Sequence, residues 1–200
     1  MIRKIYLIRH AAVIKPNEKS FFGSTELMLS SVGISQAKRL SDFFSEIPLK
    51  SVYCSSLKRA MDTAEIIADK CYKSYGIVKE FDEISLGEWE GKSFSEIKEK
   101  YPLEFAKRGL DIYNYKTPGG ESFHEVQNRA YSAFESIINN TNGDILIVSH
   151  SGVNKVILSK ILRVDLQKCF GMEQKYACIN IINIHGDSYN VSNRNINIQV

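Results

Sequence analysis

Short apolar runs alternate along this chain with stretches whose apolar residues recur every three or four positions. The run at 4–8, KIYLI, reads as a buried strand. A polar stretch containing Pro16, Asn17 and Gly23 follows as a loop. Residues 33–44 take helical spacing, with Ile34, Ala37, Leu40 and Phe44 on one face. Residues 51–54 form a second short strand, after which Ser55 or Ser56 is placed to cap a helix carrying Leu57, Ala60, Met61, Ala64 and Ala68 on one side. A third strand is expected at 76–81, then an acidic segment at 82–91 that holds the single tryptophan, Trp89. Short helices follow at 94–101 and 103–107, and Pro118-Gly119-Gly120 marks a turn. Residues 121–138 make a long amphipathic helix, 144–149 the clearest buried strand, and 152–162 another helix. At the end, 178–184 and 189–191 flank His185-Gly186-Asp187-Ser188 as paired strands. Alternating strands and helices predict an α/β fold: three layers, α/β/α, with a mainly parallel central sheet. With no linker, low-complexity tract or repeat, residues 1–200 read as a single domain.

Composition narrows the partners. The chain has 200 residues, with 26 Lys and Arg against 23 Asp and Glu, a net charge of +3 that argues against a nucleic-acid or membrane surface. The early apolar run is too short for a signal-peptide core, so a cytoplasmic location is expected. Cys54, Cys71, Cys169 and Cys178 form no C-x-x-C pair and read as reduced, mostly buried thiols; no metal site is expected.

The candidate chemistry sits at strand ends. KIYLI runs into Arg9-His10, and DILIVS runs into His150. In a parallel sheet the C-terminal strand ends share one edge, where ligands bind, so the two histidines can meet. The second strand delivers Ser55, Ser56, Lys58 and Arg59 to that edge, Arg59 in the first turn of its helix. Two arginines, two histidines and a helix N-terminus suit a phosphoryl group: the guanidinium fork matches its oxygens, and free N–H groups at a helix start favour anions.

These blocks resemble the histidine phosphatase superfamily, the phosphoglycerate mutase-like group. LIRHAA corresponds to its opening motif, VYCSSLKRAMDTAEII to its second, FDEISLGEWEG to its acidic block, TPGGES to a further shared segment and VSHSGV to its last. The resemblance implies a phosphoglycerate mutase-like fold and a phosphatase acting through a phosphohistidine. His10 would be the nucleophile, Glu83 the proton donor, and Arg9, Arg59 and His150 the groups holding phosphate, with Asn17 and Ser151 as further candidates. No cofactor is implied. The substrate would be a small phosphorylated molecule, and the candidate assembly is a homodimer. The tail CFGMEQKYACINIINI is similar to that of alpha-ribazole phosphatases of cobalamin biosynthesis, which implies alpha-ribazole 5′-phosphate as substrate.

His10 must be neutral to attack, and neighbouring positive charges would keep it so. A backbone carbonyl is expected at one ring nitrogen, leaving the other free. Glu83 would protonate the leaving oxygen, which requires its acid form.

The sequence departs from the family at Ala11, where glycine is usual, and at Ala12 and Val13, which remove a hydroxyl near the phosphate. Asn17 stands one position from the family's asparagine. Two other functions compete: a cofactor-dependent phosphoglycerate mutase, disfavoured by the short stretch 92–118, and a low-turnover phosphate-ester binding module, which Ala11 and Val13 allow. Bland readings stand beside each residue. His10 and His150 could be structural, Arg59 a solvated helix residue, and Glu83 has rivals in Glu80, Asp82, Glu88 and Glu90. His124 and His185 read as surface or structural, Trp89 as packing, Gly119 and Gly120 as a turn.

Overall fold

The computed structural model describes residues 2–16, 18–186 and 188–196; Asn17 and Asp187 lie outside the described residues, as do Met1 and 197–200. A six-stranded sheet runs through the centre. Its strands are β1 (Arg3–Arg9), β2 (Ser51–Cys54), β3 (Tyr75–Ile77), β4 (Ile145–Ser149), β5 (Ile179–His185) and β6 (Ser188–Ile196), in the spatial order β3-β2-β4-β1-β5-β6. The first four are mutually parallel; β5 pairs antiparallel with β1, and β6 with β5. The sheet is thus mainly parallel with an antiparallel edge.

Strand alternation sorts the core into two layers. Ile5 and Leu7 of β1, with Ile145 and Ile147 of β4, face helices α5 (Phe123–Asn140) and α6 (Ser151–Leu162). Tyr6, Ile8, Leu146 and Val148 face the opposite way, onto α1 (Ser31–Ser45) and α2 (Lys58–Lys70). Each fully buried Ile or Leu of these strands contributes roughly 1.5–3 kcal/mol. Between α2 and α5 the chain forms α3 (Phe94–Lys100) and α4 (Pro102–Leu110), and α7 (Leu166–Phe170) follows α6. No helix among the described residues is long and apolar enough to cross a membrane.

Several local expectations are corrected. Ile34 is 42% exposed; Gly33 faces inward instead, because α1 passes so close to the loop after β1 that a Cβ there would lie 1.9 Å from the Ala12 carbonyl oxygen. The third strand stops at Ile77, and residues 79–81 wind into a 3-10 turn that buries Phe81. The helix expected at 103–107 spans Pro102–Leu110, with Pro102 in its first turn, where no N–H is needed. Helix α7, five residues capped by Asp165, has no periodic signature and was not expected. Neither Ser55 nor Ser56 is the N-cap of α2; that position is Leu57, and both serines turn to Asp82. Trp89 is buried against Phe21 and Tyr115, a packing residue as read. Cys54 and Cys178 are buried free thiols, Cys169 is buried and Cys71 is half-buried.

Candidate active site

The parallel register delivers the site. Arg9 pairs with Ser149 across β1 and β4, so His10 and His150, one residue further along each strand, emerge side by side. Their ring centroids are 5.1 Å apart. Backbone contacts hold the junction: the His10 N–H donates to the Ser149 carbonyl at 2.9 Å and the Arg9 N–H to the Cys178 carbonyl at 3.1 Å.

His10 Nδ1 lies 2.8 Å from the carbonyl oxygen of Ala11. A carbonyl only accepts, so Nδ1 carries the proton and Nε2 keeps its lone pair. The ring is 4% exposed. Burial, then the charges of Arg9 and Arg59, push its pKa well below the ordinary 6.5, against a smaller opposing effect of the Ala11 hydrogen bond. His10 is therefore neutral at physiological pH. Next to it, the Ala11 N–H donates to Thr63 Oγ1 at 3.1 Å, and that hydroxyl donates to the Arg59 carbonyl at 2.8 Å. The Ala11 methyl packs with Val13, Leu29 and Ala37. It does not line the cavity at His10, so the alanine that replaces glycine there adds nothing to the pocket wall.

That cavity, about 180 Å³, is lined among others by Arg9, His10, Lys15, Arg59, Glu83 and Tyr176. Arg59 is 3% exposed and donates to the carbonyls of Thr25 and Gly23, each at 2.7 Å. Three of its five N–H donors remain for a ligand. Arg9 donates to the Gln174 carbonyl at 2.6 Å and stacks 3.9 Å over the Tyr176 ring, while its buried Nε finds no partner among the described residues. A desolvated guanidinium with spare donors is costly unless an anion arrives.

Glu83 is the carboxylate at the far side of the cavity. Its Oε2 accepts from the Gly152 N–H at 3.0 Å, in the first turn of α6. Gly152 must lack a side chain, since a Cβ there would come within 2.4 Å of Glu83 Oε1. Helix N-termini thus serve carboxylates here: α6 holds Glu83, and the Lys58 N–H at the start of α2 donates to Glu26 at 3.0 Å. The sequence reading had assigned such a terminus to the phosphate. Ser151, which precedes Gly152, lines an adjoining cavity.

His150 is fully buried and is absent from the cavity wall; it stands behind His10. Its Nε2 lies 2.7 Å from Ser55 Oγ, and its Nδ1 is buried without a partner among the described residues. Burial, then the charges of His10, Arg59, Arg9 and Arg129, hold its pKa well below 6.5.

Sequence reasoning missed four contributors. Tyr176 stacks on Arg9 and lies 5.5 Å from His10. Thr63 bridges the loop after His10 to Arg59. Glu90 accepts from the backbone of Gly23, Ser24, Thr25 and Leu86 and from the Thr25 hydroxyl, so it shapes the loop that Arg59 holds. Burial opposes ionisation of Glu90, but these hydrogen bonds outweigh it and leave its pKa below the ordinary value. Asp82, named only as a rival of Glu83 for the proton-donor role, accepts from Ser55 and Ser56. Glu90 and Asp82 carried a signal, as further acids within the block that holds Glu83 and Trp89. His124, as read, has no place in the site; it lies against Tyr113.

The two buried histidines tie stability to pH. Their folded-state pKa values lie below the unfolded 6.5, so under pH 6.5 the unfolded chain takes up protons that the folded chain refuses. Stability is full above pH 6.5 and should fall by about 1.4 kcal/mol per pH unit for each histidine as pH drops. Urea midpoints measured from pH 7.5 to 5.5 should decline. A midpoint unchanged over that range would contradict neutral burial.

A second cavity, about 210 Å³, adjoins the first and shares Ser20, Phe22 and Glu83 with it. Its walls include Phe21, Phe94, Phe123 and Phe170, with Arg108 and Lys155. A larger cleft of about 580 Å³, between the segment 111–114 and α6, contains neither site histidine. No cluster of three metal-ligating side chains occurs among the described residues.

An α/β sheet edge that presents a neutral, fixed-tautomer histidine between two arginines and opposite a carboxylate defines a phosphoryl-transfer class of site. The chain belongs to the histidine phosphatase superfamily: the model of its branch 1 matches residues 5–197. Relatives that it matches over most of their length are named phosphatases. Phosphoserine phosphatase 1 of Hydrogenobacter thermophilus is 31% identical over 184 residues, 90% of this chain and 86% of that protein. The 6-phosphofructo-2-kinase/fructose-2,6-bisphosphatase of Caenorhabditis elegans is 32% identical over 159 residues, 78% of this chain; the match spans about a third of that relative, 34%. Among solved structures, Bacillus stearothermophilus YhfR superposes with a TM-score of 0.85 at 29% identity, covering 94% of this chain and 95% of that one. The alpha-ribazole phosphatase from Shigella flexneri superposes at 0.88 with 23% identity, covering 98% of each chain, a likeness of fold.

Proposed function

We propose that the chain hydrolyses small phosphate monoesters through a phosphohistidine formed on His10. The observation that carries this reading is the ring's hydrogen bond to Ala11, which leaves a neutral Nε2 lone pair in a cavity with two guanidinium groups. Nε2 attacks phosphorus in line, the P–N bond forms and the bond to the ester oxygen breaks. Arg9 and Arg59 hold the equatorial oxygens as charge shifts onto them. Glu83 in its acid form gives its proton to the leaving oxygen. Its carboxylate then takes a proton from the incoming water, which cleaves P–N, releases phosphate and restores neutral His10. His150, neutral in the empty site, backs the nucleophile.

Turnover of p-nitrophenyl phosphate tests the class, with its loss in His10→Ala as the control. An unmodified protein that binds phosphate without turnover would instead be the binding module. Glu83→Gln separates the steps. With an alkyl phosphate, whose leaving oxygen needs a proton, kcat should fall about 10²–10⁴-fold. With p-nitrophenyl phosphate the first release of p-nitrophenol should be nearly spared while steady-state turnover falls with the water step, and inhibition by inorganic phosphate should hardly change. Equal loss of turnover and phosphate binding would remove Glu83 from its role.

For the substrate we propose alpha-ribazole 5′-phosphate, in keeping with a cytoplasmic enzyme of cobalamin biosynthesis. The support is the tail similarity, the likeness in fold and the phenylalanine-lined cavity beside Glu83, which suits a flat heteroaromatic leaving group. A second reading rests on Arg108, which stacks 5.3 Å over Phe21, and on Lys155, both in the wall of this cavity. These cations would favour a leaving alcohol that carries its own anion. The kcat/KM values for alpha-ribazole 5′-phosphate, phosphoserine and sugar bisphosphates decide between them. Isomerisation of 3-phosphoglycerate in the presence of bisphosphoglycerate would mark a mutase.

A further inference from the structure

Asp82, Ser55 and His150 form one connected chain of hydrogen bonds at the back of the site. Ser55 Oγ lies 2.7 Å from Asp82 Oδ1 and 2.7 Å from His150 Nε2, and it accepts from the Leu57 N–H at 3.1 Å. Asp82 also accepts from the Ser56 N–H and the Ser56 hydroxyl, each at 2.7 Å. Ser55 and His150 are fully buried, so water is not a competing partner.

Proton accounting then fixes the ring. A serine hydroxyl has one proton to give and two lone pairs to accept with. A carboxylate only accepts, so the Ser55 proton is committed to Asp82. The amide of Leu57 uses one lone pair. The remaining close contact, to His150 Nε2, can only be one in which Ser55 accepts, so the proton of neutral His150 is on Nε2. Nδ1 is left as a bare acceptor, buried and unpartnered. A buried polar atom without a partner costs about 1–3 kcal/mol, and a fold that keeps one beside its nucleophile invites a functional reason.

We propose that Asp82 is a positioning residue: through the Ser55 hydroxyl it sets the tautomer of His150, so that Nδ1 stays vacant and takes up a proton when a phosphate ester enters. A neutral His150 with bare Nδ1 can only repel a phosphate oxygen. Once protonated it becomes a donor on both nitrogens, one anchored on Ser55, and a cation next to His10 at the back of the cavity, where its charge draws the anion. The groups facing this ring are His10 and Arg9 at the end of β1, Arg59 on α2, Arg129 on α5, and Asp82 and Glu83 in the acid segment. The positive members keep the ring neutral while the site is empty. An incoming dianion offsets them, and the proton comes from solvent or from the ester's own monoanion. The roles of His10 and Glu83 are untouched by this step.

The first test is the tautomer, read by 15N NMR of the free, unmodified protein, which requires no turnover and so stands apart from the phosphatase reading. The protein should show His150 protonated on Nε2 and bare at Nδ1. Inorganic phosphate should bring a proton onto Nδ1. An empty protein with Nδ1 protonated and Nε2 bare would overturn the proposal without any variant. The second test is proton uptake on phosphate binding, from calorimetry in buffers of different ionisation enthalpy. In Asp82→Ala the freed Ser55 hydroxyl can donate to Nε2, moving the ring proton to Nδ1, so uptake should drop by about one proton. Ser55→Thr, which keeps the hydroxyl, should retain both the tautomer and the uptake. If Asp82→Ala folds and changes neither, Asp82 merely braces the turn before α2 and the proposal fails.

Discussion

Replacing His10 by alanine should abolish turnover of every phosphate ester, a loss of at least about 10⁴-fold in kcat, while the protein still folds and still binds inorganic phosphate. Removal of a covalent nucleophile costs on this scale because the remaining groups can only bind and polarise. Here those groups are Arg9, Arg59 and Glu83, none of which depends on the His10 ring for its hydrogen bonds. The alanine variant should also be less sensitive to acid, because one of the two imidazoles that resist protonation is gone. Steady-state kinetics and phosphate inhibition on the same preparation check both halves. Retained turnover would leave direct attack by water as the mechanism, with the histidine a spectator.

The second large effect belongs to Arg59. Its guanidinium acts twice: it faces the cavity, and it ties down the loop at Gly23 and Thr25. Arg59→Met should lower kcat/KM by about 10²–10³-fold through loss of transition-state charge stabilisation. It should also destabilise the fold by about 1–3 kcal/mol for each buried carbonyl left unpaired. Arg59→Lys should recover little of either, since one ammonium cannot reach two carbonyls and still present a fork to phosphate. Wild-type kcat/KM in Arg59→Lys would show that only the charge matters. The burial of Arg59 works in the same sense: desolvation lowers its pKa while Glu83, Glu26 and Glu90 raise it, a cation held where few waters compete with the substrate.

How much of this was legible in the sequence follows from how local each signal is. Strands β1 and β4 announce themselves as unbroken apolar runs, and each is followed directly by a histidine. Their parallel pairing, Ile5 with Ile145 through Arg9 with Ser149, is all that is needed to bring those histidines together. Arg59 and Glu83 were legible through motif resemblance rather than through periodicity. Contacts made at long separation were not legible. Glu90 reaches back to residues 23–25, Tyr176 covers Arg9, and Asp82 closes on Ser55; none of these pairings has a spacing rule. Ile34 was placed on the wrong face because helical spacing cannot tell Gly33 from its neighbour. The choice is made by the approach of the Ala12 carbonyl, which only a glycine allows. Similarly, Ser55 and Ser56 have the right chemistry for a helix cap, yet a carboxylate 26 or 27 residues later draws both away. Ala11, which differs from the family's glycine, turned out to be a packing position.

The most direct measurement is to quench the Glu83→Gln variant within its first turnovers of p-nitrophenyl phosphate, keep the sample alkaline, and map the phosphoryl group by peptide mass spectrometry. This leaving group departs without a proton, while the water step lacks its base, so the covalent species should build up. The account predicts close to one phosphoryl group per chain, on the peptide carrying residue 10 and labile to acid. An unlabelled chain during continued release of p-nitrophenol, or a label at any other side chain, would contradict it.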